Sequence, residues 1–308
     1  MKKLLPIFCL FSFFVLKAQQ DPEFTHYMYN MSVINPAYAT AEPSTIDLGG
    51  FYRNQWVGAV GSPQTFSFFS HIPLSAKVET GISFINDRIG EGAIKENNLY
   101  ADFAYLLNLS EGHRLSLGVK AGLTFFDSNF DDFRLESGGP KTDPAFAQNL
   151  HKTFPVFGAG AYYFTDQYYI GFSTPNLLRS KHLDDNTIEG VGGEEIHLYL
   201  TGGYVFEINP KFKLKPSFLI RTVKGVSPIV DVSANVLYLD RFELGVSYRL
   251  DDSFSGLMKF GITPTFDIGY AYDHTVSNLG TFESGTHEIF LLYRLTFIKG
   301  HNKSPRFF

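Results

Sequence analysis

Beyond its first 18 residues this chain has no cysteine, because Cys9 is the only one among 308 residues. That excludes a disulfide framework, a thiolate metal site and a cysteine nucleophile. Long apolar runs are also missing after the N-terminal stretch, so nothing reads as a transmembrane helix, which needs about 20 apolar residues. There is no Gly-x-Ser-x-Gly elbow and no His-Glu-x-x-His zinc pattern, and His113, His151, His182 and His197 lack ligand spacing. Asp184-Asp185 can polarise a water and Asp273-His274 is an acid–imidazole pair, but neighbouring residues of a strand point to opposite faces. With no assembled site, the expectation is a protein that is not an enzyme and needs no cofactor or metal. An excess of basic charge is missing too, since the formal net charge is −5. An acidic, pattern-mixed chain is a poor nucleic-acid binder.

What is present begins with an export signal. Residues 1–18 carry Lys2 and Lys3, then an apolar stretch from Leu4 to Leu16, then the small residue Ala18. This is the order of a cleavable secretory signal peptide. Removing Lys2, Lys3 and Lys17 leaves 23 basic residues against 31 acidic, a mature net charge of about −8.

The body of the chain alternates. Leu115-Ser-Leu-Gly-Val-Lys-Ala-Gly-Leu-Thr-Phe125 is apolar at every odd position, and Arg241-Phe-Glu-Leu-Gly-Val-Ser-Tyr-Arg-Leu250 repeats the device in the opposite phase. A period of two marks a strand with one apolar and one polar face. Phe (32) and Tyr (17) are abundant although mean hydropathy is near zero, at −0.04. Only helices and closed barrels pair every backbone group in lipid, and a barrel hides its membrane signal in alternation. The fold class predicted is therefore all-β, an antiparallel transmembrane β-barrel of the outer membrane with about 14 strands. They are placed near 45–57, 64–74, 79–86, 97–108, 113–126, 155–165, 167–173, 195–207, 212–222, 228–239, 241–250, 256–263, 265–273 and 286–297. The domain reading is signal peptide 1–18, N-terminal periplasmic segment 19–44, barrel 45–297 and periplasmic tail 298–308.

The connections sort by length. Even-numbered ones are short, such as Thr165-Asp166 and Thr263-Pro264; odd-numbered ones include 86–96, 126–154, 174–194 and 274–285. Short periplasmic turns and long outer loops are the asymmetry of an outer-membrane barrel. On the polar face, Lys211, Lys213, Lys215, Arg241, Glu243, Arg249, Asp267, Asp273, Glu288 and Arg294 mix both signs, which suits a lumen crossed by ion pairs or a solvated face. Pro216 removes a ladder bond and predicts local distortion, and Gly245, Gly261 and Gly269 are expected to relieve crowding.

Several stretches resemble, in order, the PorP/SprF family of Bacteroidetes outer-membrane proteins. They are Asp21-Pro-Glu-Phe-Thr-His-Tyr-Met-Tyr-Asn30 with Ile34-Asn-Pro-Ala-Tyr-Ala39, Tyr52-Arg-Asn-Gln-Trp-Val-Gly58 with Gly61-Ser-Pro63, Asp87-Arg-Ile-Gly90, Gly160-Ala-Tyr-Tyr163, Gly269-Tyr-Ala-Tyr-Asp273, Gly285-Thr-His-Glu-Ile289 and Ser304-Pro-Arg-Phe-Phe308. The resemblance implies a barrel of the type IX secretion and gliding machinery that supports export or surface anchoring of a large adhesin. Its implied partners are the secreted adhesin or its C-terminal domain, periplasmic ring and lipoprotein components, and the bilayer. The residues carried over as structural or partner-binding are Phe24, Tyr27, Met28, Asn30, Asn35, Pro36, Tyr38, Arg53, Gln55, Trp56, Gly58, Asp87, Gly90, Tyr270, Tyr272, Asp273, His287 and Glu288.

Read physically, Asn35-Pro36 is a turn signal, and Phe24, Tyr27, Met28, Tyr29 and Tyr38 make the segment before the barrel unusually apolar. It is expected to pack as a lid across the periplasmic mouth, the alternative being a docking strand for a periplasmic partner. Trp56 is expected in the interfacial belt at the outer end of the first strand. Arg53 and Gln55 are expected to face the lumen, and Tyr52, Asn54 and Trp56 the lipid. The rival function is a porin or hydrophobic-substrate transporter, with the 126–154 loop folded inward as a constriction.

Overall fold

The computed structural model describes residues 23–38, 45–129, 149–178, 180–181, 193–277, 280 and 283–296. Fourteen antiparallel strands close into a single barrel. In chain order they are β1 Thr45–Asn54, β2 Gln64–Ser75, β3 Val78–Ile89, β4 Ile94–Ser110, β5 His113–Ser128, β6 Leu150–Phe164 and β7 Tyr168–Thr174. They continue as β8 His197–Tyr204, β9 Phe212–Val223, β10 Ile229–Tyr238, β11 Phe242–Arg249, β12 Ser253–Thr263, β13 Phe266–Thr275 and β14 Thr286–Thr296. Each strand pairs with its sequence neighbour, and β1 closes on β14 from Thr45↔Thr296 to Asn54↔His287. A two-stranded ribbon, Ser180–Lys181 with Gly193–Glu194, lies in the connection after β7. Among the described residues no helix is long and apolar enough to cross a membrane.

Alternation decides which face is which. Along β5, Leu117, Val119, Leu123 and Phe125 are exposed on the outside, while Ser116, Lys120 and Thr124 are buried inside. The greasy exterior therefore meets hydrocarbon, and the backbone groups pair strand to strand around the wall, with an interruption opposite Pro216. Aromatic side chains gather at the periplasmic ends: Tyr168 lies parallel to Tyr204 with ring centroids 6.2 Å apart, Tyr204 meets Phe206 at 4.4 Å, and Phe212 meets Tyr238 at 4.7 Å. Such rings settle at the headgroup level.

The fourteen predicted strands are all present, and their ends show where alternation stops being informative. β3 and β4 run on to Ile89 and from Ile94, so the connection read as 86–96 shrinks to a turn at Gly90–Ala93. β1 ends at Asn54 rather than 57, because Trp56 adopts a left-handed φ of 50° that no continuing strand tolerates. Opposite Pro216 the ladder is interrupted as expected: Gly203 pairs with Ser217, pairing resumes at Phe206↔Leu214, and a bulge follows before Asn209. At Gly269 an added Cβ would strike the Phe290 ring and at Gly245 the Asn235 amide, so these two glycines admit neighbouring side chains. Residues 1–18, 298–308, most of the 126–154 and 174–194 loops, Asp184-Asp185 and the Ser304–Phe308 stretch lie outside the described residues.

Candidate functional site

The lumen is where the family-like motifs meet. β1 climbs from the periplasmic side, so residues just before it enter from below; yet Glu23 to Tyr38 occupies the barrel interior up to its outer end. The expectation of a lid lying across the periplasmic mouth is corrected here. The segment is too apolar for the mouth and matches an interior lined with rings. It comprises a 3-10 turn Tyr27–Tyr29, a single helical turn α1 Met31–Ile34 and the Asn35–Tyr38 turn. Tyr27, Met28, Tyr29, Met31 and Tyr38 are each at most 4% exposed.

At the outer end, three wall residues and two residues of the segment form a latch. Arg53 is the penultimate residue of β1, Asp273 stands near the end of β13, and Glu288 near the start of β14. The Glu288 carboxylate accepts the backbone N–H of Thr25 at 2.9 Å and of His26 at 2.8 Å, and lies 3.0 Å from His26 Nδ1. Arg53 donates to Glu288 at 3.1 Å, to Asp273 at 2.8 Å and to the Thr25 hydroxyl at 2.8 Å. The Thr25 hydroxyl donates in turn to Asp273 at 2.7 Å. A buried carboxylate is tolerable only when paired and fully hydrogen-bonded, so segment and wall satisfy each other. Alongside, Glu23 bridges Arg221 and Arg249, and Arg249 also binds Asp231 at 2.8 Å.

Lower down, the contacts become aromatic and steric. His26 and Tyr29 pack on Phe290, each with ring centroids 4.8 Å away, and Phe290 stacks on Phe51 at 5.3 Å. The Tyr29 hydroxyl donates to Glu243, whose second partners are Asn235 at 2.5 Å and Lys259 at 3.5 Å. Burial pushes the Tyr27 phenol up to about 12, and burial with the neighbouring Glu243 carboxylate raises Tyr29 well above its ordinary 10. Asn30 donates to Ser67 at 3.2 Å, and Lys120 caps the end of α1 by donating to the Ser32 carbonyl at 2.7 Å.

The Asn35-Pro36 turn sits in a notch of wall glycines. Asn35 Oδ1 accepts the Ala37 N–H at 2.9 Å, closing an Asx turn, and Asn35 Nδ2 donates to the Ala161 carbonyl at 3.1 Å. A Cβ at Gly118 would strike the Pro36–Ala37 backbone, and one at Gly160 the Asn35 side-chain oxygen. Tyr38 then stacks on Tyr162 at 4.3 Å. Among the described residues, small interior spaces lie beside the segment, one lined by Phe24, Tyr27, Tyr199 and Arg249 and another by His71, Glu79 and Asp102.

Of the eighteen sequence-derived residues, Phe24, Tyr27, Met28, Asn30, Asn35, Pro36, Tyr38, Arg53, Asp273 and Glu288 therefore converge in one place. Asp87 also faces the lumen, accepting the Thr65 hydroxyl at 2.5 Å. The others do not join them. Gln55, Trp56 and Gly58 lie in the outer connection after β1, so Gln55 is not a wall residue; its N–H binds the Pro63 carbonyl at 3.0 Å. Trp56 is held there through its backbone N–H to Thr286 Oγ1 at 3.1 Å. Gly90, at φ 66°, turns β3 into β4 and donates to Gly61 at 2.8 Å, tying two outer connections together. Tyr270, Tyr272 and His287 form a cluster on the outside, with Tyr270 OH 2.7 Å from His287 Nδ1. Sequence reading passed over Glu23, Thr25, His26, Gly118 and Lys120 as site residues. The signal available was the inward phase of Gly118 and Gly160, which leaves space for a filler.

Comparison with known proteins agrees with this architecture. A family described as type IX secretion system membrane protein PorP/SprF matches residues 16–293. No curated protein matches the chain. Among solved structures, the TodX deltaS2S3 mutant monoaromatic hydrocarbon channel is similar with a TM-score of 0.51 at 10% identity, covering 86% of this chain and 93% of that one. A Pseudomonas aeruginosa FadL homologue gives 0.48 at 14% identity, covering 87% and 94%. At such identity the likeness concerns the fold alone.

Proposed function

Because this chain belongs to the PorP/SprF family of type IX secretion system membrane proteins, we propose that it is a non-catalytic scaffold in the outer membrane, sealed by its own N-terminal segment, that supports export or cell-surface anchoring of a large secreted protein such as an adhesin. The observation that carries this reading is the occupied lumen. A barrel whose interior is filled from Glu23 to Tyr38 has no path for a folded or unfolded cargo, so its contribution lies in the surfaces it presents. On the cell surface those are the connections 126–154, 174–194 and 274–285, with the exported protein or its C-terminal domain as the partner; long ordered loops usually carry function. On the inner side, periplasmic ring and lipoprotein components are the partners proposed for the short turns and the termini. An N-terminal signal peptide delivers the chain.

Deleting residues 174–194 is expected to release the adhesin into the medium while leaving barrel insertion, read by heat-modifiable gel mobility, unchanged. Retention at the parental level removes that loop as the contact. Mild-detergent purification gives the complementary test: recovery of a large secreted protein supports anchoring, recovery of ring lipoproteins a link to the motor. The alternative, a porin or hydrophobic-substrate transporter, requires the lumen segment to leave, and robust single-channel conductance of the intact protein would favour it.

A further inference from the structure

We propose that the outward face of the β3–β4 hairpin is a binding site for a phosphate of an outer-leaflet lipid, with Arg88 and Lys95 as its cations. The two residues are direct cross-strand partners, both exposed and both pointing away from the lumen, since Asp87 and Asn98 occupy the inward phase. Cross-strand partners hold their Cβ atoms about 5 Å apart, close enough for one phosphate to touch both side chains.

Depth places them at the headgroups. Below them, the outward positions Ile82, Phe84, Leu99 and Phe103 are apolar, and three of these are large exposed side chains. The apolar face gives way to Asn86 and Asn97, paired across the hairpin with Asn86 Nδ2 donating to Asn97 Oδ1 at 2.7 Å. Arg88 and Lys95 come two residues further out, roughly 5 Å higher along strands tilted about 40°. Asn86 also accepts Arg88 Nε at 3.1 Å, which fixes the guanidinium plane and leaves the two Nη groups as an outward fork. Such a fork matches phosphate oxygens bidentately, while Lys95 supplies a point charge beside it.

Two acids lie nearby. Asp127 faces outward across from Lys95, but His151 Nδ1 holds it at 2.6 Å. Glu91 is exposed in the turn above. Among the described residues neither Arg88 nor Lys95 forms an ion pair. The outer ends of β11, β12 and β13 instead carry Tyr248, Phe254 and Tyr272 in the outward phase.

The test is native mass spectrometry of the full-length protein in detergent, titrated with diphosphoryl lipid A and, separately, phosphatidylcholine. One lipid A molecule is expected to survive conditions that strip phosphatidylcholine. R88Q/K95Q should lower that retention roughly thirtyfold, about what two surface cations contribute. R88K, which keeps charge but loses the fork, should fall between. Three outcomes overturn the proposal: unchanged retention in R88Q/K95Q with parental heat-modifiable mobility, equal retention of phosphatidylcholine, or displacement of lipid A by equimolar inorganic phosphate, which reduces the site to a simple ion site. Should R88Q/K95Q not insert, R88K and the phosphate competition decide it.

Discussion

Replacing Glu288 with alanine should unlatch the lumen segment without harming the wall. The side chain is 1% exposed and carries four contacts: two backbone N–H groups, His26 Nδ1 and Arg53. Breaking a buried ion pair by removing one member costs about 3–5 kcal/mol. Asp273 remains bonded to Arg53, which puts the charge component at the low end. The orphaned N–H groups of Thr25 and His26 add about 1 kcal/mol or more each. The sum is about 5 kcal/mol, or an increase of more than a thousandfold in the undocked population at 1.4 kcal/mol per decade. The ladder between β1 and β14 runs through backbone atoms, so the barrel itself keeps its pairing. Met28 reports docking well, being 1% exposed, and with Cys9 replaced by serine Met28→Cys would be the sole cysteine of the 308 residues. A bulky, water-soluble thiol reagent should label M28C slowly in the parent and about a thousandfold faster with Glu288→Ala, in step with channel openings. Glu288→Gln, which keeps shape but loses charge, should lie between. Equal labelling of parent and Glu288→Ala, with no openings, would refute the latch.

Three further outcomes test the same picture at other points. Gly118→Val drives a side chain into the Pro36–Ala37 backbone, which cannot swing aside; overpacking of about 1–3 kcal/mol should raise M28C labelling, whereas Gly50→Ala, with nothing within 4 Å, should not. Burial raises the Tyr27 phenol from 10 to about 12, so docking strength is full below pH 10 and falls as pH rises towards 12, by about 2.7 kcal/mol from Tyr27 alone, with Tyr29 adding to the loss. Conductance in alkaline buffer should show that loss, with a shallower pH dependence in Tyr27→Phe. Val119→Arg, at an exposed site midway along β5, should cost the folded barrel about 2–4 kcal/mol in lipid, read from denaturant unfolding in vesicles.

The wall was legible because lipid on one side and polar groups on the other force a period of two. Legibility ended where that contrast ends. Beyond Phe84 and Leu99 the outward face of the β3–β4 hairpin turns polar, with Asn86, Arg88, Lys95 and Asn97, while Ile85, Ile89 and Ile94 take the inward phase, so the apolar-out alternation stops although the ladder continues. Trp56 was misread for a related reason: an aromatic residue in phase with a strand says nothing about the left-handed turn that takes it out. The lumen segment was recognised as too apolar for an exposed tail, but not where it goes. The pointers lay in the wall. Phe51, Phe69, Tyr162, Phe164 and Phe290 all occupy the inward phase and are at most 1% exposed, which a water-filled lumen would not support. Gly118 and Gly160 share that phase and leave a notch no wall residue fills.

Those pointers also explain why the family-like motifs are dispersed along the chain. Arg53 on β1, Asp273 on β13 and Glu288 on β14 come from three motifs, and the segment Phe24–Tyr38 from two more. None is interpretable alone: Glu288 without Thr25 and His26 is a buried acid short of donors, and Asn35 without Gly160 has nowhere to lie. Low dielectric makes a partly satisfied network costly, so each wall group constrains the segment and the segment constrains each wall group. The inward residues of these motifs are therefore pieces of one plug-and-wall contact, and a segment grafted from a different barrel should leave Arg53, Asp273 and Glu288 mismatched. Such a chimera should insert normally yet show the fast M28C labelling expected of Glu288→Ala; slow labelling would mean that the rings and the glycine notch hold the segment without the latch.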